Sequence, residues 1–304
     1  MDDNLRELQS INIDLACDYD CANCERYFQC DLPQKASFGK RGFLPKAKKN
    51  LETVKRKIIV LGGKGGVGKS MLAVNLAAAL YKRGKKVCVL DQNYDVPAVP
   101  LMMGVADQKM KVGPKGLIPV EAYPGFKVVS MGLVLDESQF IIWFHDSKRV
   151  ATEEFLTYVE YGDVDYMVLD IPAGTSSETV NVLKLIPDMD GSVIITIPSE
   201  VSQNVAERAV FISRQANVPV IGVVENMSMF VCPECGEPAA ILQSGGGEAL
   251  AKRMGIDFLG SIPANVRVST TLDQGTPFVL NEPELEASKT VLNVADIIIR
   301  RFET

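Results

Sequence analysis

The chain has 304 residues, 47% of them hydrophobic, and a net charge of −6. This length suffices for one large α/β domain with a small appendage, and the acidic balance argues against nucleic acid as the main partner, because phosphate binding favours a basic surface. The first residues, MDDNLRELQS, lack the apolar segment of a secretory signal, and no apolar run approaches the ~18 residues of a membrane span. We therefore expect a cytosolic protein that binds neither nucleic acid nor membrane.

Four of the seven cysteines fall within residues 1–34, namely Cys17, Cys21, Cys24 and Cys30. A disulfide framework is not expected in a reducing cytosol, so metal ligation is the main interpretation. Four thiolates in one short segment are enough to hold a 4Fe–4S cluster alone, while a Cys₄ zinc site is the alternative that the spacing leaves open. Residues 35–56, rich in Lys, Arg, Gly and Pro, are predicted to be a basic linker.

From residue 57 to residue 304, continuous apolar runs alternate with helical patterns. This predicts a mostly parallel sheet with helices on both faces, which binds ligands at the carboxyl ends of its strands. The predicted strands are 57–63, 86–91, 165–170, 192–198 and 219–225. The predicted helices are 70–82, 149–160, 178–187, 200–216 and 284–302. Cys88 lies within a strand and is expected to be a buried apolar residue.

A glycine-rich motif lies between the first predicted strand and the first predicted helix. Its sequence, GKGGVGKS, matches the G-x-x-x-x-G-K-[ST] pattern of P-loop nucleotide-binding proteins in the context that the motif requires. We expect Lys69 to reach the β- and γ-phosphates of ATP and Ser70 to bind Mg²⁺. The predicted nucleotide-binding residues are Gly63, Lys64, Gly65, Gly66, Val67, Gly68, Lys69, Ser70 and Met71.

Two aspartates end predicted strands at the same edge of the sheet. Asp91 closes the strand 86–91 and Asp170 closes the strand 165–170, so both are placed to face the phosphates. Asp170 is expected to orient Mg²⁺ through water, and Gly174 to give the following loop freedom near the γ-phosphate. The candidate catalytic residues are Lys64, Lys69, Asp91 and Asp170.

A second lysine, Lys64, stands near the start of the glycine-rich loop. The sequence KGGVGKS resembles the deviant Walker A motif of the MinD/ParA/nitrogenase-iron-protein class of P-loop NTPases. In that class the signature lysine crosses a dimer interface to the nucleotide of the partner. The resemblance implies a homodimer that binds ATP with both chains, whereas a merely exposed lysine is the simpler alternative.

A second cysteine pair lies downstream, in Cys232-Pro233-Glu234-Cys235. Two thiolates at this spacing can bind one edge of a cluster, but two ligands do not complete a four-thiolate site. A symmetric dimer would supply the other pair, which agrees with the homodimer that Lys64 implies. Zinc held between two such arms is the alternative.

Five segments together resemble the Mrp/NBP iron–sulfur carrier ATPases over residues 57–302: GGKGGVGKS, DIPAGTSSE, VENMSMFVCPEC, SGGGEALAKRMGIDFLGSIP and DQGTP. The N-terminal cysteines resemble the NBP-type branch, which adds a second cluster. The resemblance implies one N-terminal 4Fe–4S cluster per chain, another bridged by Cys232 and Cys235 of both chains, and ATP-linked transfer to apo iron–sulfur proteins. The resemblance also implies that Asn226 contacts the adenine. Without the resemblance, an asparagine at the end of a strand would be interpreted as a turn residue.

The chain departs from the pattern of that family at several positions. The family has D-x-D after the second strand, whereas LDQNYDVPAVP places Asn93 at the second acid. Ala173 replaces a proline, Ser177 replaces an aspartate, and WFHDSKR at 143–149 stands where the family has a WRGP-like stretch. Asp95 is the alternative acid if the loop is remodelled. We therefore expect ATP binding with slow hydrolysis.

Two other functions compete with a cluster carrier. An ATP-gated electron donor resembling the nitrogenase iron protein would also bridge a cluster across a dimer, but its ligands in that class are widely separated single cysteines. A positioning ATPase that binds DNA or membrane would explain the P-loop and leave six of the cysteines without a role. Three measurements distinguish these functions: cluster transfer to an apo-acceptor, ATP-dependent reduction of a partner, and sedimentation with DNA or liposomes.

Overall fold

The computed structural model describes residues 24, 27–29, 44–135, 143–174, 177–186, 188–231, 237–239 and 245–303. The chain divides into two units, residues 1–42 and 43–304. In the first unit, Tyr27–Gln29 forms a 3-10 turn, and the Tyr27 N–H donates to the Cys24 carbonyl at 3.3 Å. The other N-terminal cysteines lie outside the described residues, so the cluster module over 1–34 stays a prediction.

Nine strands form the main sheet in the described part of the second unit, in the order β10-β9-β8-β1-β7-β2-β6-β5, with β11 also paired to β9. Neighbouring strands are parallel except in the pairs β5/β6 and β9/β10, which confirms the predicted sheet. A separate pair is formed by β3 and β4. The strands are β1 Val54–Leu61, β2 Val87–Asp91, β3 Lys111–Val112, β4 Leu117–Ile118, β5 Val120–Tyr123, β6 Phe126–Val129, β7 Val164–Asp170, β8 Gly191–Thr196, β9 Val220–Val231, β10 Pro238–Ala239 and β11 Phe258–Ala264.

Helices cover both faces of this sheet, since every residue of β2 and of β8 is buried. The longest helix, α10, buries Val291, Val294 and Ile298 and packs against α2, which in turn packs against β7. The helices are α1 Leu44–Leu51, α2 Lys69–Lys82, α3 Val99–Met102, α4 His145–Tyr158, α5 Ser177–Leu185, α6 Glu200–Gln215, α7 Gly246–Met254, α8 Val266–Asp273, α9 Phe278–Asn281 and α10 Glu286–Glu303.

The predicted linker over 35–56 is wrong for residues 44–56, which are folded. Helix α1 buries Leu44, Ala47 and Leu51 and packs against α4, and β1 begins at Val54. The Asn50 side-chain amide fixes this contact by donating to two backbone carbonyls near the end of α4, at 3.0 and 2.8 Å. The lysines of α1 lie on its outer face and dominate the composition, so the short apolar stripe gives only a weak signal.

Candidate nucleotide-binding site

The P-loop connects the end of β1 to the start of α2 at the carboxyl edge of the sheet. Gly66 and Gly68 adopt positive φ angles of 80° and 96°, which place the backbone in the left-handed region that glycine tolerates best. The Lys69 ammonium donates to the Lys64 carbonyl at 3.2 Å and so closes the loop on itself. A backbone that turns in this way at a helix N-terminus is suited to binding an anion.

Lys69 is largely buried, with 8% of its surface exposed, while Lys64 is exposed. Burial lowers the pKa of Lys69, and the charge of Asp170 only partly opposes this effect. A desolvated ammonium is costly unless an anion neutralises it. The site is therefore arranged to gain free energy when a phosphate binds.

Two buried carboxylates lie side by side at the ends of β2 and β7, because Asp91 and Asp170 are paired across these strands. Asp91 accepts hydrogen bonds from the Asn93 N–H and the Ser130 hydroxyl, both at 2.9 Å. Burial raises its pKa well above the usual range, and the Asp170 charge adds to this. Burial also raises the pKa of Asp170 to about 6, although Ser70 and Lys69 oppose the shift.

The carboxylate of Asp170 is only weakly satisfied. Both of its side-chain oxygens are buried and neither makes a hydrogen bond of good geometry within the described part of the chain, although the Ser70 hydroxyl is close enough to lower its pKa. Oxygen ligands next to a P-loop hydroxyl are the environment in which Mg²⁺ binds together with phosphates. The residues present therefore fit a magnesium–nucleotide complex.

Asn226 lies directly against the P-loop. Its side-chain amide donates to the Val67 carbonyl at 2.9 Å, and a Cβ atom built on Gly68 would stand 2.5 Å from the same nitrogen. The next residue, Met227, has a φ of 55°, which interrupts the extended conformation of β9 at that residue. Its contact with adenine stays a prediction.

The contact between Asn226 and the P-loop can be tested with a matched pair of glycine variants. Gly66→Ala and Gly68→Ala each place a Cβ at a positive φ, which costs about 1–2 kcal/mol, but a Cβ at Gly66 would meet nothing within 4 Å. We expect Gly68→Ala to lower the free energy of unfolding by ~1 kcal/mol more, because it displaces the hydrogen-bonded Asn226 amide. Urea unfolding measures the difference, and equal midpoints for the two variants would contradict the assignment.

The loop after β2 is held by side chains of α4. Gln92 accepts hydrogen bonds from the hydroxyls of Tyr94 and Thr152, at 3.0 and 2.8 Å, and Asp95 pairs with Lys148 at 2.6 Å. The Tyr94 ring also packs against Trp143 and Phe155 on the same side. The sequence gives no motif for side chains that hold a loop in this way. The only signal in the sequence for this region is that WFHDSKR departs from the family pattern.

The remaining predicted ligands are not assembled within the described residues. Cys232 and Cys235 fall between β9 and β10 in the sequence and lie outside the described part. Cys24 is half-buried, and no group of three or more His, Cys, Asp and Glu side chains forms a metal site among the residues described. Cys88 is fully buried, which raises the pKa of its thiol to about 12 and confirms that it is an apolar core residue.

A parallel sheet, a P-loop closed by Lys69 and an adjacent pair of buried aspartates define a P-loop NTPase. Residues 53–299 match the ParA family described as NUBPL iron-transfer P-loop NTPase. The chain belongs to this family, which confirms the resemblance found in the sequence.

Two curated relatives cover most of the chain. It is 38% identical to the iron-sulfur cluster carrier protein of Methanocaldococcus jannaschii, over 94% of this chain and 98% of the relative. It is 36% identical to the cytosolic Fe-S cluster assembly factor NUBP2 homolog of Nematostella vectensis, over 80% of this chain and 93% of the relative.

Solved structures agree with this placement. A nucleotide-binding protein from Archaeoglobus fulgidus, in complex with ADP, superposes with a TM-score of 0.68 at 33% identity and covers 76% of this chain and 91% of its own. The cell division ATPase MinD of Pyrococcus furiosus has a TM-score of 0.60 at 19% identity, over 81% of this chain and 99% of its own, and shares the fold. Among the described helices, none combines the length and apolar character needed to cross a bilayer.

Proposed function

We propose that this protein is a cytosolic, ATP-binding iron–sulfur cluster carrier that acts as a homodimer and hands its cluster to apo iron–sulfur proteins. One observation carries the proposal: β9 holds Asn226 against the P-loop and runs on to Val231, the residue before Cys232. A single strand thus leads from the nucleotide site to the cysteine pair. The names of the two curated relatives support the same role.

In this function the P-loop residues bind ATP, with Lys69 at the β- and γ-phosphates and Asn226 at the adenine. Ser70 and Asp170 would hold Mg²⁺, which neutralises phosphate charge and orients the terminal phosphate when bound. Asp91 stands beside Asp170 and is fixed by Ser130. The exposed side chain of Lys64 is available to reach the nucleotide of a second copy.

The cargo is a 4Fe–4S cluster held by Cys232 and Cys235 of both chains. A cluster at a dimer interface is shared by two ligand pairs, so it can leave when the two chains separate. The N-terminal cysteines would hold a second cluster within each chain, in which Cys24 precedes the turn at Tyr27–Gln29.

Cys235→Ala should abolish the shared cluster and leave ATP binding intact, because the P-loop site contains no cysteine. Anaerobic reconstitution should give about six iron atoms per chain in the wild type and about four in the variant, since each cluster holds four and one is shared. Cys88→Ala is the matched control, which removes a core thiol without losing iron. Full iron content in Cys235→Ala, or stoichiometric zinc in freshly isolated anaerobic protein, would refute the proposal.

A further inference from the structure

We propose that Lys148 is a positioning residue that couples the two loops bordering the phosphate site, so that they respond to nucleotide together. The proposal rests on the ATP binding proposed above and extends it to how the loops change. The ammonium of Lys148, a residue of α4, lies 2.6 Å from the Asp95 carboxylate and 3.0 Å from the Glu178 carboxylate. One ammonium thus joins two acidic side chains from different parts of the site.

Each acid belongs to a segment that follows a phosphate-facing aspartate. Asp95 lies in the loop after β2, which begins beyond Asp91 and contains Asn93. Glu178 is in the first turn of α5, which follows the segment from Asp170 to Gly174. Where the two segments begin, the Gln92 N–H donates to the Asp170 carbonyl at 2.8 Å, and a side chain that holds both segments further along constrains their relative position.

The surroundings make this link stronger than an ordinary surface ion pair. The Lys148 side chain is only 12% exposed and that of Glu178 only 18%, so water screens this pair less than a surface pair, whereas Asp95 is 54% exposed and its pair with Lys148 is more strongly screened. Burial lowers the pKa of Lys148, but its hydrogen bonds to Asp95 and Glu178 outweigh this and raise the pKa above its usual value. The Thr152 hydroxyl lies 2.8 Å from the Gln92 side-chain oxygen of the same loop and 2.9 Å from the Lys148 carbonyl, and its single proton can be donated to either of them.

The same geometry predicts a charge-specific signature. Without Lys148, the carboxylates of Asp95 and Glu178 lose the ammonium that lies within 3.0 Å of both, and like charges that share a site repel. The repulsion should separate the two segments and let each open independently. Removing either acid from a Lys148 variant should relieve this repulsion. If the variant instead loses only the packing of the lysine stem, removing an acid should have no such effect.

The test is hydrogen exchange of the full-length protein over 92–98 and 177–185, titrated with ATP and Mg²⁺. In the wild type both segments should become protected at the same ATP concentration. Lys148→Met should speed exchange in both by about threefold or more and separate their responses. Asp95→Asn added to Lys148→Met should restore slow exchange.

Arg149→Met is the matched control, because Arg149 is the next residue of α4 and its ion-pair partners among the described residues, Asp146 and Glu153, lie on α4 itself. Glu178→Gln added to Lys148→Met provides a second rescue if Asp95→Asn perturbs the loop. The inference is overturned if Lys148→Met exchanges like the wild type, if neither acid substitution rescues it, or if Arg149→Met gives the same change. A wild type that does not bind ATP at all would instead refute the proposed function.

Discussion

Lys69→Ala should lower the affinity for ATP by about 100-fold, because a hydrogen bond from a charged group to a phosphate contributes ~3 kcal/mol. The free energy of unfolding without nucleotide should not fall, since burial of the ammonium lowers the pKa of Lys69 and its charge is a cost in the empty site. Calorimetric titration with ATP and urea unfolding measure the two effects. Lys69→Met keeps the apolar stem and separates the loss of charge from the loss of packing.

Lys64→Ala is the natural comparison, because its exposed side chain makes no ion pair in the described part of the chain. We expect it to spare ATP binding by the single chain and to weaken ATP-dependent dimerisation, followed by sedimentation velocity. Its backbone carbonyl, which accepts from Lys69, is retained by alanine. Equal losses of ATP affinity and dimerisation in the Lys64 and Lys69 variants would contradict separate roles within and between chains.

The sequence predicts the sheet and the phosphate loop well because their signals are local. Buried parallel strands are continuous apolar runs, and a P-loop needs glycine at positions such as Gly66 and Gly68, where φ is positive. Helix α1 was missed because three buried apolar residues are too few to outweigh its lysines. The strand β9 continues to Val231, beyond the predicted end at residue 225, because the continuous apolar run stops at Glu225 and Asn226 while the backbone stays in the sheet.

The side chains that organise the loop after β2 could not be predicted. Lys148 meets Asp95 across 53 residues and Glu178 across 30, and such contacts depend on how α4 packs against its neighbours α1 and α5. Asp91 and Asp170 were predictable because parallel strands bring their carboxyl ends to one edge. The sequence could not predict which of their carboxylate oxygens make good hydrogen bonds. That depends on the Ser130 hydroxyl, which donates to Asp91 and not to Asp170.

Asn93→Asp should raise the single-turnover rate of ATP hydrolysis by about tenfold or more, and the wild type should hydrolyse ATP slowly while still binding it. By its resemblance to the Mrp/NBP carrier ATPases, the chain is expected to have the second acid of D-x-D at this position, where Asn93 stands. A carboxylate can orient the attacking water and accept its proton, whereas an amide offers one carbonyl oxygen and no basic site. General-base assistance typically contributes ~10²–10⁴-fold, and positioning dominates phosphoryl transfer.

The structure bears on which residue could replace this acid. The Asn93 side-chain oxygen accepts from the Val96 N–H at 3.3 Å, so it braces a turn. Asp95 is 54% exposed but is paired with Lys148 at 2.6 Å, which draws its carboxylate towards α4. An aspartate at position 93 would lie two residues after Asp91, whose carboxylate accepts from the Asn93 N–H at 2.9 Å and holds this residue at the end of β2.

The rate should be measured with ATP binding confirmed in each variant. Asn265→Asp is the matched control, because Asn265 likewise accepts from a backbone N–H, at the start of α8, and the change adds the same charge. It should leave the rate unchanged. A brisk wild-type rate that Asp95→Asn destroys would show that Asp95 acts as the base, and that the ion pair with Lys148 breaks when ATP binds.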